Sequence, residues 1–285
     1  MTLPNFLVIG AMKSATSSLC EVLSGHPQVF ISDPEEPEFF CRKDLFGQGL
    51  GKYETYFAGA GNAIAVGEGS TSYTKSGLFP GVAERISQAI PDMRLIYILR
   101  DPVRRIESHW LHTVRSGNHN YGSFSKDVSA SGNNYVDTSL YWKQRSEYLR
   151  IFKSTQIKIL FYEDFQKDPS MVIRECCGFL GIDSTFRDET AAEPRHVSLG
   201  SIVERPIVRK FQENPVIRRV FQAFPRSFRN TLKRPFQQVI TEKPQWTSES
   251  LEIVLEVIRE DAEQILAYAG KPKDYWSLQT STYMR

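Results

Sequence analysis

The chain has 285 residues, a formal net charge of +2 at pH 7, and 41% hydrophobic and 12% aromatic residues. This length suits one large domain with a substantial core, which excludes global disorder, and the small net charge argues against nucleic acid as a partner. No run approaches the about 18 apolar residues of a membrane-spanning helix, and the N-terminal residues lack signal-peptide regions. We therefore expect a soluble, cytoplasmic protein without a transmembrane segment.

Five short apolar runs, rich in β-branched residues, are predicted to form strands. They comprise residues 6–9, 29–31, 63–66, 94–99 and 157–162. Runs that are apolar throughout are typical of parallel strands buried on both faces, and helical patterns alternate with them. The sequence therefore predicts a single α/β domain over residues 1–285, a P-loop-like, three-layer domain with a central, mainly parallel sheet flanked by helices.

Capping residues mark the predicted helices. Asp101-Pro102 and Asp168-Pro169 each place an N-cap aspartate before a proline at the first helical position. Helices are expected over residues 17–24, 79–90, 101–116, 168–181 and 248–268. Residues 116–134 are rich in Gly, Asn and Ser with little helical periodicity, so we expect a long loop or an irregular insertion near a site there.

Residues 195–245 form a variable region in which basic side chains outnumber acidic ones and prolines separate short helical pieces. This region either presents a basic surface to an acidic partner or is a solvated helical face. The four cysteines, Cys20, Cys41, Cys176 and Cys177, show no metal-ligand spacing. We expect free thiols in a reducing compartment, and no bound metal.

The first strand continues into a segment of small, mostly hydroxylic residues that is predicted to bind phosphate. Gly10 and Lys13 are followed by Ser14, Ala15, Thr16, Ser17 and Ser18. A helix that begins at this point supplies free backbone N–H groups and the positive end of its dipole, and short side chains let an anion approach. The residue order differs from the GxxxxGK[ST] loop of ATP-binding proteins. A strand, turn and capped helix without a ligand is the alternative interpretation.

A second strand ends at a basic residue in the segment LRDPVRRIESHW. Arg100 follows this strand, and Ser108 lies two turns into the next helix, on the face predicted to hold Arg104 and Arg105. Parallel strands end at one edge of a sheet, so Arg100 and Lys13 are expected to border the same crevice. Two separate anion sites at one edge suit a nucleoside with two phosphate groups.

These segments resemble the PAPS-dependent sulfotransferases, in particular the bacterial and heparan-sulfate-type branch. PAPS is 3′-phosphoadenosine 5′-phosphosulfate. GAMKSATSSL is similar to the family's 5′-phosphosulfate loop, and LRDPVRRIESHW is similar to its 3′-phosphate motif; GEGSTSY and YED also match. The resemblance implies that PAPS is bound by Lys13, Ser14, Ala15, Thr16, Ser17, Ser18, Arg100 and Ser108. Ala15 stands where the family usually has glycine.

The resemblance also implies the catalytic residues. DPEEPEFF resembles the family's Lys-Glu-x-x-Phe-Phe signature, and the register of Phe39-Phe40 makes Glu36 the base that takes the acceptor's proton. Glu38 is a competing candidate for this role. A solvated acidic loop without a catalytic role is the alternative interpretation. Lys13 would stabilise the phosphate leaving group.

Other candidates have weaker support. Ser70 and Tyr73 are expected to border the acceptor cleft, and Gly69 stands where the family often has lysine. Arg195 and His196 resemble a loop that closes over the cofactor in relatives. His26, His109, His112 and His119 are expected to be structural.

The sequence therefore predicts an enzyme that transfers a sulfuryl group from PAPS to a hydroxyl or amine of an acceptor. The resemblance favours a carbohydrate acceptor. A small-molecule, lipid or carrier-bound acceptor is an alternative, as is a non-catalytic module that binds a nucleotide or a glycan. An ATP-dependent kinase is disfavoured because the Gly-Lys-Ser/Thr order is missing and ATP has no 3′-phosphate for Arg100 and Ser108.

Overall fold

Five parallel strands form the central sheet of the protein. The computed structural model describes residues 2–116, 124–185, 202–204, 237–239 and 244–284. The sheet has the order β2-β3-β1-β4-β5 and consists of β1 (Phe6–Gly10), β2 (Val29–Ile31), β3 (Ala65–Glu68), β4 (Arg94–Leu99) and β5 (Ile157–Phe161). The predicted α/β fold with a parallel sheet is confirmed, and β3 begins later than expected.

Helices follow the strands and pack against the sheet. Those described are α1 (Thr16–Ser24), α2 (Lys43–Phe46), α3 (Leu50–Glu54), α4 (Val82–Ala89), α5 (Pro102–Arg115), α6 (Phe124–Ser129), α7 (Asn134–Asp137), α8 (Tyr141–Leu149), α9 (Tyr162–Lys167), α10 (Pro169–Leu180), α11 (Ser248–Tyr268) and α12 (Thr280–Tyr283). The Asp101 carboxylate accepts hydrogen bonds from the backbone N–H groups of Val103 and Arg104, and the Asp168 carboxylate caps α10 by accepting one from that of Met171. The two Asp-Pro helix starts are therefore confirmed. None of these described helices has the length and apolarity needed to span a membrane.

Side chains of β1 alternate between the two faces of the sheet, as the strand period requires. Leu7 and Ile9 belong to one hydrophobic layer, together with the buried aromatic rings of Phe39 and Phe40. Phe6 and Val8 belong to the opposite layer, which includes residues of α1 and α10. The sheet is therefore buried on both faces, as the apolar runs predicted.

A third hydrophobic cluster fixes α5 against α11 and corrects one prediction. Phe124 begins α6 within the segment expected to be a loop, and its ring packs edge-on against Trp110 at 5.4 Å and Trp246 at 4.6 Å between centroids. Trp110 also donates a hydrogen bond to Asp127 at 2.8 Å. The loop prediction is therefore wrong for Phe124–Ser129, because distant aromatic rings stabilise this short helix.

The variable basic region lies mostly outside the described residues. Its described parts are two short strands, β6 (Ile202–Glu204) and β7 (Gln237–Val239), which pair in antiparallel register. The expected basic surface and the segment around Arg195 and His196 fall outside the described residues. The single-domain prediction for residues 1–285 stays a prediction.

Candidate active site

A cleft of about 320 Å³ lies at the edge of the sheet where β1 and β4 end. The predicted residues that line it are Lys13, Ala15, Thr16, Ser17, Ser18, Glu36, Arg100 and Ser108. These residues come from the loop after β1, the segment after β2 and the β4–α5 unit. The parallel strands bring them together because the carboxyl ends of β1 and β4 lie side by side.

The loop after β1 turns sharply before it enters α1. Lys13 and Ala15 adopt the left-handed conformation, with φ of 72° and 69°. No side chain of the described residues caps the start of α1. The first N–H groups of a helix have no partner within the helix, and they carry the positive end of its dipole. This loop therefore offers backbone donors to an anion in the cleft.

Two guanidinium groups hold the carbonyl groups of this loop. Arg100 donates from Nη1 to the carbonyl oxygen of Lys13 at 3.1 Å, and Arg105 donates from Nη1 to that of Met12 at 3.4 Å. Arg105 is fully buried and also bonds Ser139 Oγ at 2.6 Å. These bonds fix the loop carbonyls, which would otherwise repel an anion near the N–H groups.

One face of α5 borders the cleft. Ser108, His112 and Arg115 line the cleft, at the spacing of one helix face. Arg105 is instead buried, and Arg104 pairs with Glu107 at 3.1 Å. Arg104 and Arg105 precede Ser108 by four and three residues in α5, the predicted helical spacing, but neither is among the residues that line the cleft.

Ser14 is the predicted cofactor-binding residue that does not line the cleft. Its side chain is fully buried, and among the described residues its Oγ has no hydrogen-bond partner. A buried hydroxyl without a partner costs about 1–3 kcal/mol. An unpartnered hydroxyl within this loop fits a loop built to contact a polar ligand.

Positive charge dominates the side of the cleft that is lined by Lys13, Arg100 and Arg115. Lys13 lies close enough to Arg115 and Arg100 that burial, followed by these two cations, lowers its pKa, while Glu36 opposes the change. Burial and the same cationic surroundings lower the pKa of His112 to about 4, so this histidine is neutral at pH 7. Such a cluster of cations suits an anionic ligand.

Arg100 is held from a second side by an aromatic ring. Its guanidinium lies 4.5 Å from the centroid of the Tyr162 ring, at a distance typical of a cation–π contact. Tyr162 begins α9 and lines the same cleft. The side chain of Arg100 is therefore oriented before any ligand arrives.

The two candidate bases lie in different surroundings. Glu36 lines the cleft and accepts a hydrogen bond from Thr71 Oγ1 at 3.2 Å. Its side chain is exposed to the cleft, but the surrounding protein removes part of its hydration, which raises its pKa. The Thr71 hydrogen bond opposes this rise. Glu38 accepts from Ser72 Oγ at 2.6 Å and is not among the residues that line the cleft.

A buried carboxylate holds the turn after β3, the turn whose hydroxyl groups bond to Glu36 and Glu38. Glu68, at the end of β3, accepts hydrogen bonds from Tyr53 Oη at 2.9 Å, Tyr73 Oη at 2.5 Å and the backbone N–H of Ser70 at 2.8 Å. Burial raises its pKa to about 7. Ser70 and Tyr73 are buried and are not among the residues that line this cleft, so the prediction that they border it is wrong. They organise the turn beneath it instead.

Gly69 has no space for a side chain. A Cβ atom at this position would lie 2.8 Å from Cys20 Sγ, closer than carbon and sulfur atoms approach without a shift. The lysine that is common at this position in the resembled family therefore has no room in this chain.

Sequence reasoning missed several residues of the site. Met12, Thr71, Arg115 and Tyr162 line the cleft, and so does His112, which was expected to be structural. The helical spacing from Ser108 to His112 and Arg115 is a signal that could have found two of them. Among the described residues, no group of three or more His, Cys, Asp and Glu side chains is arranged to hold a metal.

The fold and the cleft together define a class of α/β proteins with an anion-binding loop after the first strand and a second cationic element after a neighbouring strand. The model of the sulfotransferase domain matches residues 3–264, so the chain belongs to the sulfotransferase domain family.

Known proteins of this family resemble the chain over much of its length. The heparan sulfate glucosamine 3-O-sulfotransferase 3B1 of Mus musculus is 30% identical over 196 residues, which are 66% of this chain and 48% of that protein. The membrane-associated sulfotransferase kil1 of Dictyostelium discoideum is 31% identical over 118 residues, 40% of this chain and 24% of that protein. The chain thus spans about half the length of the first relative and a quarter of the second.

Solved structures share the fold. A sulfotransferase from Alicyclobacillus acidocaldarius superposes with a TM-score of 0.69 at 24% identity, covering 97% of this chain and 99% of the other. The sulfotransferase domain from the curacin biosynthetic pathway superposes with a TM-score of 0.50 at 17% identity, covering 90% of this chain and 98% of the other. The sheet and its flanking helices are therefore common to these proteins.

Proposed function

We propose that the chain transfers a sulfuryl group from PAPS to a hydroxyl or amine group of a carbohydrate. The observation that carries this proposal is one cleft with two cationic elements, at Lys13 and at Arg100 with Ser108, and with the carboxylate of Glu36 on its wall. Membership of the sulfotransferase domain family supports the reaction. The heparan sulfate 3-O-sulfotransferases among the relatives support a carbohydrate acceptor.

The residues of the cleft fit PAPS in two places. The N–H groups at the start of α1 and the Lys13 ammonium would bind the 5′-phosphosulfate, and Arg100 with Ser108 would bind the 3′-phosphate. The orphaned hydroxyl of Ser14 fits a loop that contacts a polar ligand. When bound, PAPS supplies the sulfuryl group and a phosphate leaving group.

The side chains then divide the transfer between them. Glu36 would take the proton of the acceptor's hydroxyl or amine group. The oxygen or nitrogen of that group then forms a bond to sulfur, while the bond between sulfur and the phosphate oxygen breaks. Lys13 stabilises the negative charge that develops on this departing oxygen. The raised pKa of Glu36 makes it a stronger base than an ordinary glutamate.

A cytoplasmic location stays part of the proposal. All four cysteines are free and buried, which suits a reducing compartment. Fractionation of cells that express the chain with a C-terminal tag tests this location, and recovery with membranes or in the medium would contradict it.

Calorimetric binding of 3′,5′-ADP, AMP and ATP without metal tests the cofactor. We expect 3′,5′-ADP to bind more tightly than AMP, because Arg100 and Ser108 would contact its 3′-phosphate. Arg100→Ala should weaken 3′,5′-ADP binding by about 1.5–3 kcal/mol, which is roughly 10- to 150-fold in Kd. Arg150→Ala is the control, because Arg150 lies in an exposed pair with Glu147. Equal affinity for AMP, or a preference for ATP with Mg²⁺, would contradict the proposal.

Turnover distinguishes the enzyme from a binding module. The chain is incubated with ³⁵S-labelled PAPS and with heparan sulfate, chondroitin sulfate or a phenol as acceptor, and labelled product is counted. We expect a labelled polysaccharide. Tight 3′,5′-ADP binding without any labelled product would favour the non-catalytic module, and labelling of the phenol alone would contradict the carbohydrate acceptor.

A further inference from the structure

The turn after β3 carries four serine and threonine hydroxyl groups, and each of them makes a hydrogen bond to another segment of the chain. The turn consists of Ser70 and the short 3₁₀ helix Thr71–Thr74. The four residues, all buried, are Ser70, Thr71, Ser72 and Thr74. A buried hydroxyl group is costly without a partner, so these bonds favour one arrangement of the turn and its neighbours.

Three of the hydroxyl groups bond to the segment that contains the two candidate bases. Thr71 Oγ1 donates to Glu36 Oε2 at 3.2 Å. Ser72 Oγ donates to Glu38 Oε1 at 2.6 Å, and Ser70 Oγ accepts from the backbone N–H of Glu38 at 2.9 Å. The two serines therefore hold Glu38, whereas Thr71 holds Glu36, the glutamate that lines the cleft.

The fourth hydroxyl group connects the same turn to the strand that leads into the loop of Lys13. Thr74 Oγ1 donates to the carbonyl oxygen of Ile9 in β1 at 3.1 Å. The buried carboxylate of Glu68 holds the other end of the turn by accepting from the backbone N–H of Ser70 at 2.8 Å. One turn is thus bonded both to Glu36 and to the strand before the loop, so it sets the position of one relative to the other.

The bond from Thr71 occupies one oxygen of the Glu36 carboxylate and leaves the second without a partner. Among the described residues, no hydrogen bond reaches Glu36 Oε1. Each carboxylate oxygen can accept hydrogen bonds, so Oε1 is available to a ligand in the cleft. Threonine is branched at Cβ and has few side-chain conformations, so its hydroxyl group is a rigid support. Thr71 and Glu36 both line the cleft, where this support is needed.

We infer that Thr71 is a positioning residue for the base: its hydroxyl group holds Glu36 Oε2, so that Oε1 points to the acceptor group at a fixed distance from the loop of Lys13. This inference rests on the proposed function, in which Glu36 takes the acceptor's proton. It assigns that proton to one oxygen of the carboxylate and gives the turn after β3 a role in the reaction.

The test compares Thr71→Val, which removes the hydroxyl group at nearly the same shape, with Thr71→Ser, which keeps it. Thr55→Val is the control, because the hydroxyl group of Thr55 is exposed and donates to the carbonyl oxygen of Lys52 at 2.7 Å. With PAPS and heparan sulfate, we expect Thr71→Val to lower kcat by about 10- to 100-fold, since a displacement of about 1 Å can cost about 100-fold. Thr71→Ser should retain most of the activity, and the control should match the wild type.

Calorimetric binding of 3′,5′-ADP separates positioning of Glu36 from general damage to the turn. The Thr71 hydroxyl group bonds to Glu36 and not to the loop after β1, so the Kd of Thr71→Val should stay within about twofold of the wild-type value. A damaged turn would also lose the bond from Thr74 to Ile9 and disturb the loop. The inference is overturned by an unchanged kcat in Thr71→Val, by equal losses in Thr71→Val and Thr71→Ser, or by a parallel loss of kcat and 3′,5′-ADP affinity.

Crystal structures of the ligand-free wild type, Thr71→Val and Thr71→Ser give a measurement that does not depend on turnover. We expect the Glu36 carboxylate to move by about 1 Å or more in Thr71→Val and to keep its place in Thr71→Ser. A carboxylate that stays in place in Thr71→Val would overturn the inference. If Thr71→Val fails to fold, judged by circular dichroism, Thr71→Ala is measured instead, with the same expected direction.

Failure of the inference and failure of the proposed function have different signatures. A wild-type protein without turnover contradicts the proposed function, while the crystal structures still decide whether Thr71 holds Glu36. A wild-type protein with turnover that Thr71→Val retains in full leaves the proposed function standing and overturns the inference alone.

Discussion

The two sides of the cleft are built in different ways. On the side that would bind the sulfuryl donor, Lys13 follows β1 and Arg100 follows β4. These two strands are adjacent, so the sheet alone brings the two residues together. On the acceptor side, Glu36 and Glu38 bond to Thr71 and Ser72, which are more than 30 residues away in sequence. Secondary structure therefore places the groups for the donor, whereas long-range side-chain contacts place the groups for the acceptor.

The largest expected effect is a loss of kcat on substitution of Glu36, which should far exceed the loss on substitution of Glu38. Glu36→Gln should lower kcat by about 10²–10⁴-fold, the usual contribution of a general base, because it removes the carboxylate on the cleft wall. Glu38→Gln is the matched control and should lose less than about tenfold, since Glu38 is held by Ser72 away from the cleft. Initial rates with PAPS and heparan sulfate decide this. A greater loss in Glu38→Gln would exchange the two assignments.

A slightly smaller loss is expected on the donor side. Lys13→Ala should lower kcat by about 10²–10³-fold, typical for one group that stabilises a developing oxyanion. Lys153→Ala, at an exposed lysine that is not among the residues lining the cleft, is the control. Single-turnover rates at saturating PAPS separate this loss from weaker binding. Full activity in Lys13→Ala would show that Lys13 does not act on the leaving group.

The buried carboxylate beneath the acceptor side should make stability depend on pH. Burial raises the pKa of Glu68 to about 7 in the folded state from its ordinary value of 4.5, so the folded protein holds an additional proton between these pH values. Its contribution to the free energy of unfolding is therefore largest below about pH 4.5 and decreases as the pH rises toward 7, by at most about 1.4 kcal/mol per pH unit.

Urea unfolding of Glu68→Gln between pH 5 and 8 checks this dependence. The variant loses acceptor capacity and is destabilised, but the difference from the wild type should narrow as the pH rises. Asp44→Asn removes an exposed carboxylate that pairs with Arg42 and is the control. Its difference in stability from the wild type should stay constant over this pH range. A difference that stays constant with pH would contradict the raised pKa of Glu68.

The smallest expected effect is a change in stability on substitution of Ala15, in the loop after β1. Ala15 has a φ of 69°, which costs a residue other than glycine about 1–2 kcal/mol, whereas glycine loses about 0.5–1 kcal/mol more backbone entropy on folding. Ala15→Gly should therefore raise the free energy of unfolding by no more than about 1.5 kcal/mol. Ala58→Gly, at a right-handed exposed position with a φ of −57°, should lower it. Destabilisation of both variants in thermal unfolding would contradict the left-handed conformation of Ala15.

The sequence predicted the donor side more completely than the acceptor side, for a physical reason. The parallel strands, the Asp-Pro helix starts and the convergence of Lys13 and Arg100 depend on local patterns and on the common edge of a parallel sheet. The burial of Ser14 and Arg105 depends on how neighbouring elements pack, which residue spacing does not reveal.

Long-range contacts account for the rest of what was missed. The hydroxyl groups of Thr71 and Ser72 reach the glutamates only because the turn after β3 packs beside the segment after β2. The helix that begins at Phe124 likewise depends on Trp246, a residue from a distant part of the chain. Sequence patterns carry no direct signal for either contact.

Gly69 and Cys20 constrain how this site can change in evolution. Because a Cβ at position 69 would meet the sulfur of Cys20 at 2.8 Å, a side chain gained at Gly69 alone is obstructed. A smaller residue at position 20, such as alanine, removes the obstructing atom from the helix behind the turn. The order of substitutions therefore matters: a lineage that exchanges Cys20 first can later acquire a basic side chain at position 69, whereas the reverse order passes through a protein with a distorted turn.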